Sequence, residues 1–209
     1  MSPRNTRQSI LSASIGLAFL VAAGAATAQA TSTTSTPSSA QGMKAGADQS
    51  MKAGAGASIP AADKSFVEKA AVGGLAEVQM GKMAQQKGSS DQVKQFGSRM
   101  VEDHSKANDE LKQVASSKGI TLPTDLDAKH KSKMEKMQKL SGAQFDRAYM
   151  DDMVSDHKQD VADFKKEANS GKDSDIKAFA AKTLPTLEDH LKMAQSTESA
   201  VKASKTASR

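Results

Sequence analysis

The chain has 209 residues, no cysteine and no tryptophan, and its 29 Lys and Arg against 24 Asp and Glu give a formal charge of +5. The missing cysteines exclude a disulfide framework and a lipoprotein-type acyl anchor, so stability has to come from a packed core. An aromatic content of 3% argues against a base-stacking or sugar-binding platform.

Arg4 and Arg7 precede an apolar run from Ile10 to Ala25, and Ala26-Thr27-Ala28 and Ala28-Gln29-Ala30 fit the small-x-small cleavage rule. Residues 1–28 therefore read as a secretory signal peptide, and the mature protein as periplasmic or secreted. The run is shorter than the roughly 20 residues of a spanning helix, so no integral membrane segment is expected after cleavage. Removing Arg4 and Arg7 lowers the formal charge from +5 to +3. An exported protein rarely meets nucleic acid, so the basic balance reads as solubility or attraction to an anionic cell surface.

Residues 29–62 are rich in Ser, Thr, Ala and Gly, and Met43-Lys44-Ala45-Gly46-Ala47 recurs as Met51-Lys52-Ala53-Gly54-Ala55. With almost no large apolar group to offset ordering entropy, the stretch reads as a disordered linker. Residues 63–203 form the single domain, and 204–209 a tail. The first long helix is expected from about Asp63 to Lys87, opened by a Ser65/Glu68 capping box and stopped at Gly88. The second runs from near Ser90 to just before Gly119. A loop with Pro123 leads to a short Lys-rich helix, about Asp127 to Leu140. The third long helix spans about Ala143 to Ser170, and the fourth about Asp173 to Ala203, with a kink expected at Pro185. This is an all-α, up-down four-helix bundle with an extra short helix between helices two and three, where the longer link allows a crossover.

Three of the four histidines follow an aspartate: Asp103-His104, Asp156-His157 and Asp189-His190. Roughly two chains in a thousand of this composition would show this by chance, so the pattern counts as signal. At 100° per residue, His104 falls in line with Val93, Gly97, Met100, Leu111 and Ala115. His157 falls in line with Tyr149, Met153, Val161 and Phe164, and His190 near the edge of a stripe holding Ile176, Ala180, Leu187 and Ala194. In the first helix Glu77 lies within the apolar stripe, with Gly73 and Gly81 one turn to either side, supplying space beside a carboxylate.

Each of four helices thus sends one candidate ligand inward: Glu77, His104, His157 and His190. One donor per helix is how bundles build metal sites, and three imidazoles with a carboxylate suit zinc, copper, nickel or iron. The competing reading is a buried polar network in which each ring is satisfied by a carboxylate or carbonyl. Met100 and Met153, one turn before two of the histidines, read as ordinary core. Asp103, Asp156 and Asp189 point about 100° from their histidines, where they either orient a ring on a neighbouring helix or stand in solvent. His130, in Lys129-His130-Lys131, belongs to a charged face, and the aspartates opening the third long helix (Asp146, Asp151, Asp152) read as surface.

An echo links the second and fourth long helices. Val93-Lys94-Gln95-Phe96 is matched by Ile176-Lys177-Ala178-Phe179, and Glu102-Asp103-His104 by Glu188-Asp189-His190. Two readings stay open: a duplicated helical hairpin, or convergence of similar amphipathic helices.

Phe66, Ala71-Val72-Gly73-Gly74 and Glu77, with Met100-Val101-Glu102-Asp103-His104, resemble the exported bacterial domain-of-unknown-function family 4142. Phe145-Asp146, Tyr149, Met153-Val154-Ser155-Asp156-His157, Leu184-Pro185 and His190-Leu191 carry the same resemblance. It implies a ferritin-like bundle, and its frequent outer-membrane label finds no support in an alternating strand pattern. Ferritin-like diiron proteins place Glu three residues before His, whereas Val101, Val154 and Leu187 occupy those positions here. A mononuclear site with one transition metal ion therefore replaces the diiron centre as the expectation, and no catalytic residue is assigned. The functional expectations are a periplasmic metal-binding bundle acting in metal handling or envelope stress, or a metal-free module. The latter's Lys129, Lys131, Lys133, Lys136 and Lys139 would bind anionic cell-envelope polymers, or its helices a protein partner.

Overall fold

The computed structural model describes residues 58–207. The signal peptide, nearly all of the linker and the end of the tail assigned above lie outside the described residues. Five helices make up the rest: α1 (Ala61–Lys87), α2 (Asp91–Ser117), α3 (Ala128–Gln138), α4 (Gly142–Ser170) and α5 (Ser174–Ala207). No strand occurs among the described residues, and no helix there is long and apolar enough to cross a membrane.

The helix ends show why the chain turns where it does. Gly119 adopts φ 66° just past α2, and Gly142 adopts φ 55° at the start of α4, both left-handed positions that suit glycine. Asp127 caps α3 by accepting from the His130 N–H at 2.8 Å. The capping box expected at Ser65 and Glu68 does not form: α1 starts earlier, behind Pro60, with no side-chain cap. Pro at the entrance of a helix forfeits no needed donor, which moves the boundary upstream. At the other end α5 continues through Pro185 and past 203 to Ala207.

α1, α2, α5 and α4 surround the core in that order, each packed on the next, with α4 returning to α1. Two buried aspartates fix the ends. Asp63 of α1 accepts from the Lys172 and Asp173 amides (2.9 and 2.6 Å), tying α1 to the α4–α5 turn. Asp146 of α4 accepts from the Ser89 and Ser90 amides (3.0 and 2.9 Å), tying α4 to the α1–α2 turn. Asp146 is therefore no surface residue, contrary to expectation. Such charge-assisted bonds at a turn hold two orphan amides each.

These ties place the start of α4 beside the end of α1, so α2 and α4 run parallel on opposite corners. The long link is the crossover, and every adjacent pair of the bundle is antiparallel. The crossover lies over α1 and α4, where Lys87 Nζ donates to the Gln138 carbonyl at 2.6 Å. The reciprocal Asp ties also give the two hairpins a common register. Gly88 follows Asp63, and Gly171 follows Asp146, by the same 25 residues, and both glycine amides bond back to the carbonyl four residues earlier.

Two apolar clusters fill the bundle. One, at the α1–α2 turn, contains Met80, Phe96, Met100, Phe145, Tyr149, Met150 and Met153. The other, at the α4–α5 turn, contains Phe66, Val67, Leu111, Ala115, Phe164, Ile176 and Leu187. Burying each large side chain contributes about 1.5–3 kcal/mol. α1 and α2 approach at Gly81 and Gly97, where a Cβ on Gly81 would stand 2.7 Å from the Gly97 carbonyl oxygen. Gly81 therefore serves helix contact rather than space beside Glu77. Gly73 does open onto space: a Cβ there would meet nothing within 4 Å.

Candidate metal centre

Between the two apolar clusters sits a polar one, buried Glu77, His104, His157 and His190 from α1, α2, α4 and α5. One ring nitrogen of each histidine lies within 4.8 Å of those of the other two. The rings pack edge to face or tilted, with centroids 5.3 to 5.8 Å apart.

Partners dictate the tautomers. His157 Nδ1 lies 3.0 Å from the Met153 carbonyl oxygen, which only accepts, so Nδ1 carries the proton. His190 Nε2 lies 2.9 Å from Asp103 Oδ2, and that carboxylate likewise only accepts. The remaining nitrogens, His157 Nε2 and His190 Nδ1, face each other at 3.3 Å. In neutral rings both are lone pairs. Two lone pairs at that distance repel unless a proton or a cation lies between them.

Glu77 and His104 are held at 2.5 Å, Oε2 to Nε2, yet the ring N–H does not point along that line. His104 Nε2 and Glu77 Oε1 are both buried without an aligned hydrogen bond. Glu77 Oε1 also stands 3.4 Å from His157 Nδ1, so the one carboxylate faces two rings of the cluster. The buried Tyr149 hydroxyl has no hydrogen-bond partner among the described residues.

The electrostatics follow from the same contacts. Burial alone would raise the Glu77 carboxyl, but His104, His157 and His190 outweigh it and hold its pKa at about 2. Burial lowers and Glu77 raises His104, and Glu77 wins, so its pKa lies above the ordinary value. His190 is brought down to about 4, by burial first and by the neighbouring His104 and His157, against the pull of Asp103. A neutral His190 with its proton on Nε2 offers Nδ1 as a ligand.

The three aspartates part company. Asp103 reaches across to His190, and Arg99 one turn earlier pairs with the same carboxylate. Asp156 instead pairs with Lys133 of the crossover helix at 2.6 Å, and Asp189 stands exposed beside Lys192 at 3.2 Å. Neither touches a ring, because each lies on the side of its helix turned away from the cluster. His130 pairs with Asp127 at the α3 cap.

Asp160 is the carboxylate that helix stripes did not single out. It borders the same small cavity as Glu77 and His104. Burial, then the Glu77 charge, pushes its carboxyl well above the usual range. The signal was present in the register: Asp160 follows Asp146 by 14 residues, as Glu77 follows Asp63. Asp160 is the counterpart of Glu77 in the second hairpin.

Residues 45–197 match the family described as a domain of unknown function, DUF4142, and the chain belongs to that family. No curated protein matches the chain. No solved structure matches it either.

Proposed function

We propose that this is an exported metal-binding bundle protein that holds one transition metal ion between His104, His157 and His190, with Glu77 as the charge-balancing donor. The observation that carries the reading is the pair of opposed lone pairs, His157 Nε2 and His190 Nδ1, at 3.3 Å. Two ligands of one tetrahedral ion with metal–nitrogen bonds of about 2.0–2.1 Å stand about 3.3–3.4 Å apart. A cation between these nitrogens turns their repulsion into coordination, and Asp103 on the far side of His190 fixes that ring's tautomer. Glu77, already beside His104 and His157, would balance the ion's charge. A donor set of imidazoles and one carboxylate favours zinc, copper, nickel or iron over magnesium or calcium.

The role we assign is metal handling or protection of the cell envelope, in the periplasm or outside the cell, in keeping with the N-terminal secretory pattern. The alternative of a basic module for anionic polymers has two of its five lysines already paired. Lys133 is taken up by Asp152 and Asp156, and Lys131 by Asp125.

Elemental analysis of protein purified without a His tag and equilibrated with zinc or copper tests the proposal. One ion per chain is expected, and none in the His104→Ala/His157→Ala variant. An equal metal content in both would refute it.

A further inference from the structure

Two cavities meet at Glu77, and the inner one also reaches His104. A groove of about 620 Å³ follows the seam between α1 and α4 beneath the crossover residues Pro123 and Asp127. An inner cavity of about 30 Å³ lies against Glu77 and His104, closed off by apolar groups such as Leu111, Phe164 and Leu187. That is room for one water molecule or one small ion. Gly73, Glu77 and Asp160 line both spaces, so they form the partition between groove and cavity.

The partition is built for a cation rather than for packing. Gly73 leaves open space where any side chain would intrude. Asp160 makes no hydrogen bond or ion pair with any described residue, although it is only partly exposed. Glu77, 4% exposed, has an Oε1 with no aligned hydrogen bond, 3.4 Å from His157 Nδ1. Glu68, Asp156 and Asp163 add carboxylates along the groove, against Lys69 and Lys129. Above and below the cluster the bundle is closed by its two apolar cores, which offer an ion no ligand to replace its water.

We infer that the α1–α4 seam is the route by which a divalent cation reaches the histidines, with Asp160 and Glu77 receiving it in the inner cavity. The inference rests on the metal-binding reading above. Asp160 gives the arriving ion an oxygen ligand before its last waters are lost, and Glu77, which faces both the cavity and His104, passes it on. A carboxylate-lined cleft with low-dielectric walls also concentrates cations at its mouth.

Stopped-flow absorption of cobalt(II) uptake by the chelator-stripped full chain tests this, with zinc competition as a second probe. Asp160→Asn and Gly73→Leu are expected to slow association by about tenfold or more, with one ion per chain still bound at equilibrium. Glu110→Gln, on a surface ion pair with Lys182, is expected to keep the parent rate. Should Gly73→Leu not fold, the isosteric Asp160→Asn carries the test alone. Parent-like rates in these variants, while the parent takes up cobalt, overturn the route and leave the metal site standing. A parent that takes up neither metal overturns the metal-binding reading itself.

Discussion

His157 Nε2 and His190 Nδ1 confront each other across 3.3 Å while the other nitrogen of each ring is committed to an acceptor, Met153 and Asp103. Turning either ring away would break its bond to the Met153 carbonyl or to the Asp103 carboxylate. The arrangement is therefore held by its surroundings, and the space between the rings is where the chemistry of this bundle is decided.

Asp103→Asn keeps the shape but replaces the charged acceptor of the His190 Nε2 proton with a neutral amide that can also donate, which weakens the hold on that tautomer. Metal affinity is expected to fall about 10–100-fold, as for other residues that orient a ligand. Asp189→Asn, at an exposed residue, is expected to bind like the parent. Calorimetric titration with zinc separates the two, and equal losses in both variants would contradict the assignment.

Glu77→Ala removes the group that keeps His104 charged. Burial then dominates, and the His104 pKa is expected to drop from above the ordinary value of 6.5 to below it. Breaking a buried pair by deleting one member typically costs about 3–5 kcal/mol. An NMR titration of the His104 ring and a urea melt read both effects, and a His104 pKa unmoved by the substitution would contradict the pairing.

Acid should weaken the apoprotein through His190. Its folded pKa, about 4, lies below the unfolded 6.5, so the unfolded chain binds more protons between those values. The contribution of His190 is complete above pH 6.5 and is lost as pH falls toward 4, by about 3 kcal/mol. The ring is faced by Asp103 and His104 of α2, His157 of α4 and Glu77 of α1. Near pH 4.5 Glu77 begins to take up protons in the unfolded chain only and so adds to the loss, while Asp160, with its raised pKa, works in the opposite sense. The difference between parent and His190→Gln in urea melts from pH 7 to 4.5 isolates the effect. A constant difference across that range would contradict it.

The glycines of α1 should respond oppositely to alanine. At Gly73 the added methyl meets open space, and better helix propensity is expected to stabilise by up to about 1 kcal/mol. At Gly81 it strikes the Gly97 backbone oxygen, which cannot move unless α1 and α2 separate. A net loss of about 1–3 kcal/mol is expected there in thermal or urea unfolding. Stabilisation at Gly81 would contradict the close helix approach.

Much of this was legible beforehand because helical periodicity is a strong constraint. Phe66, Val93, Tyr149 and Ile176 set the inward faces, and Glu77, His104, His157 and His190 lie on or beside those faces, so their convergence was readable. What periodicity does not carry is contact between helices. Asp146 looked like any acidic residue in a first turn, and only the return of the crossover sets it against Ser89 and Ser90. Asp103 and Asp189 occupy matching positions beside their histidines, yet only Asp103 has a ring within reach, since the hairpins differ by three residues between Phe and His. Asp160 hides among other acidic residues of α4, Asp156 and Asp163, off the apolar stripe. Its role depends on the α1–α4 seam, which no single helix reveals.

The most direct test is an X-ray structure of the zinc-loaded protein with anomalous differences recorded at the zinc edge. The account predicts one strong peak about 2.0–2.1 Å from both His157 Nε2 and His190 Nδ1, with His104 drawn to it. No peak between those two nitrogens in protein saturated with zinc, with the 3.3 Å separation kept by a shared proton, would contradict it.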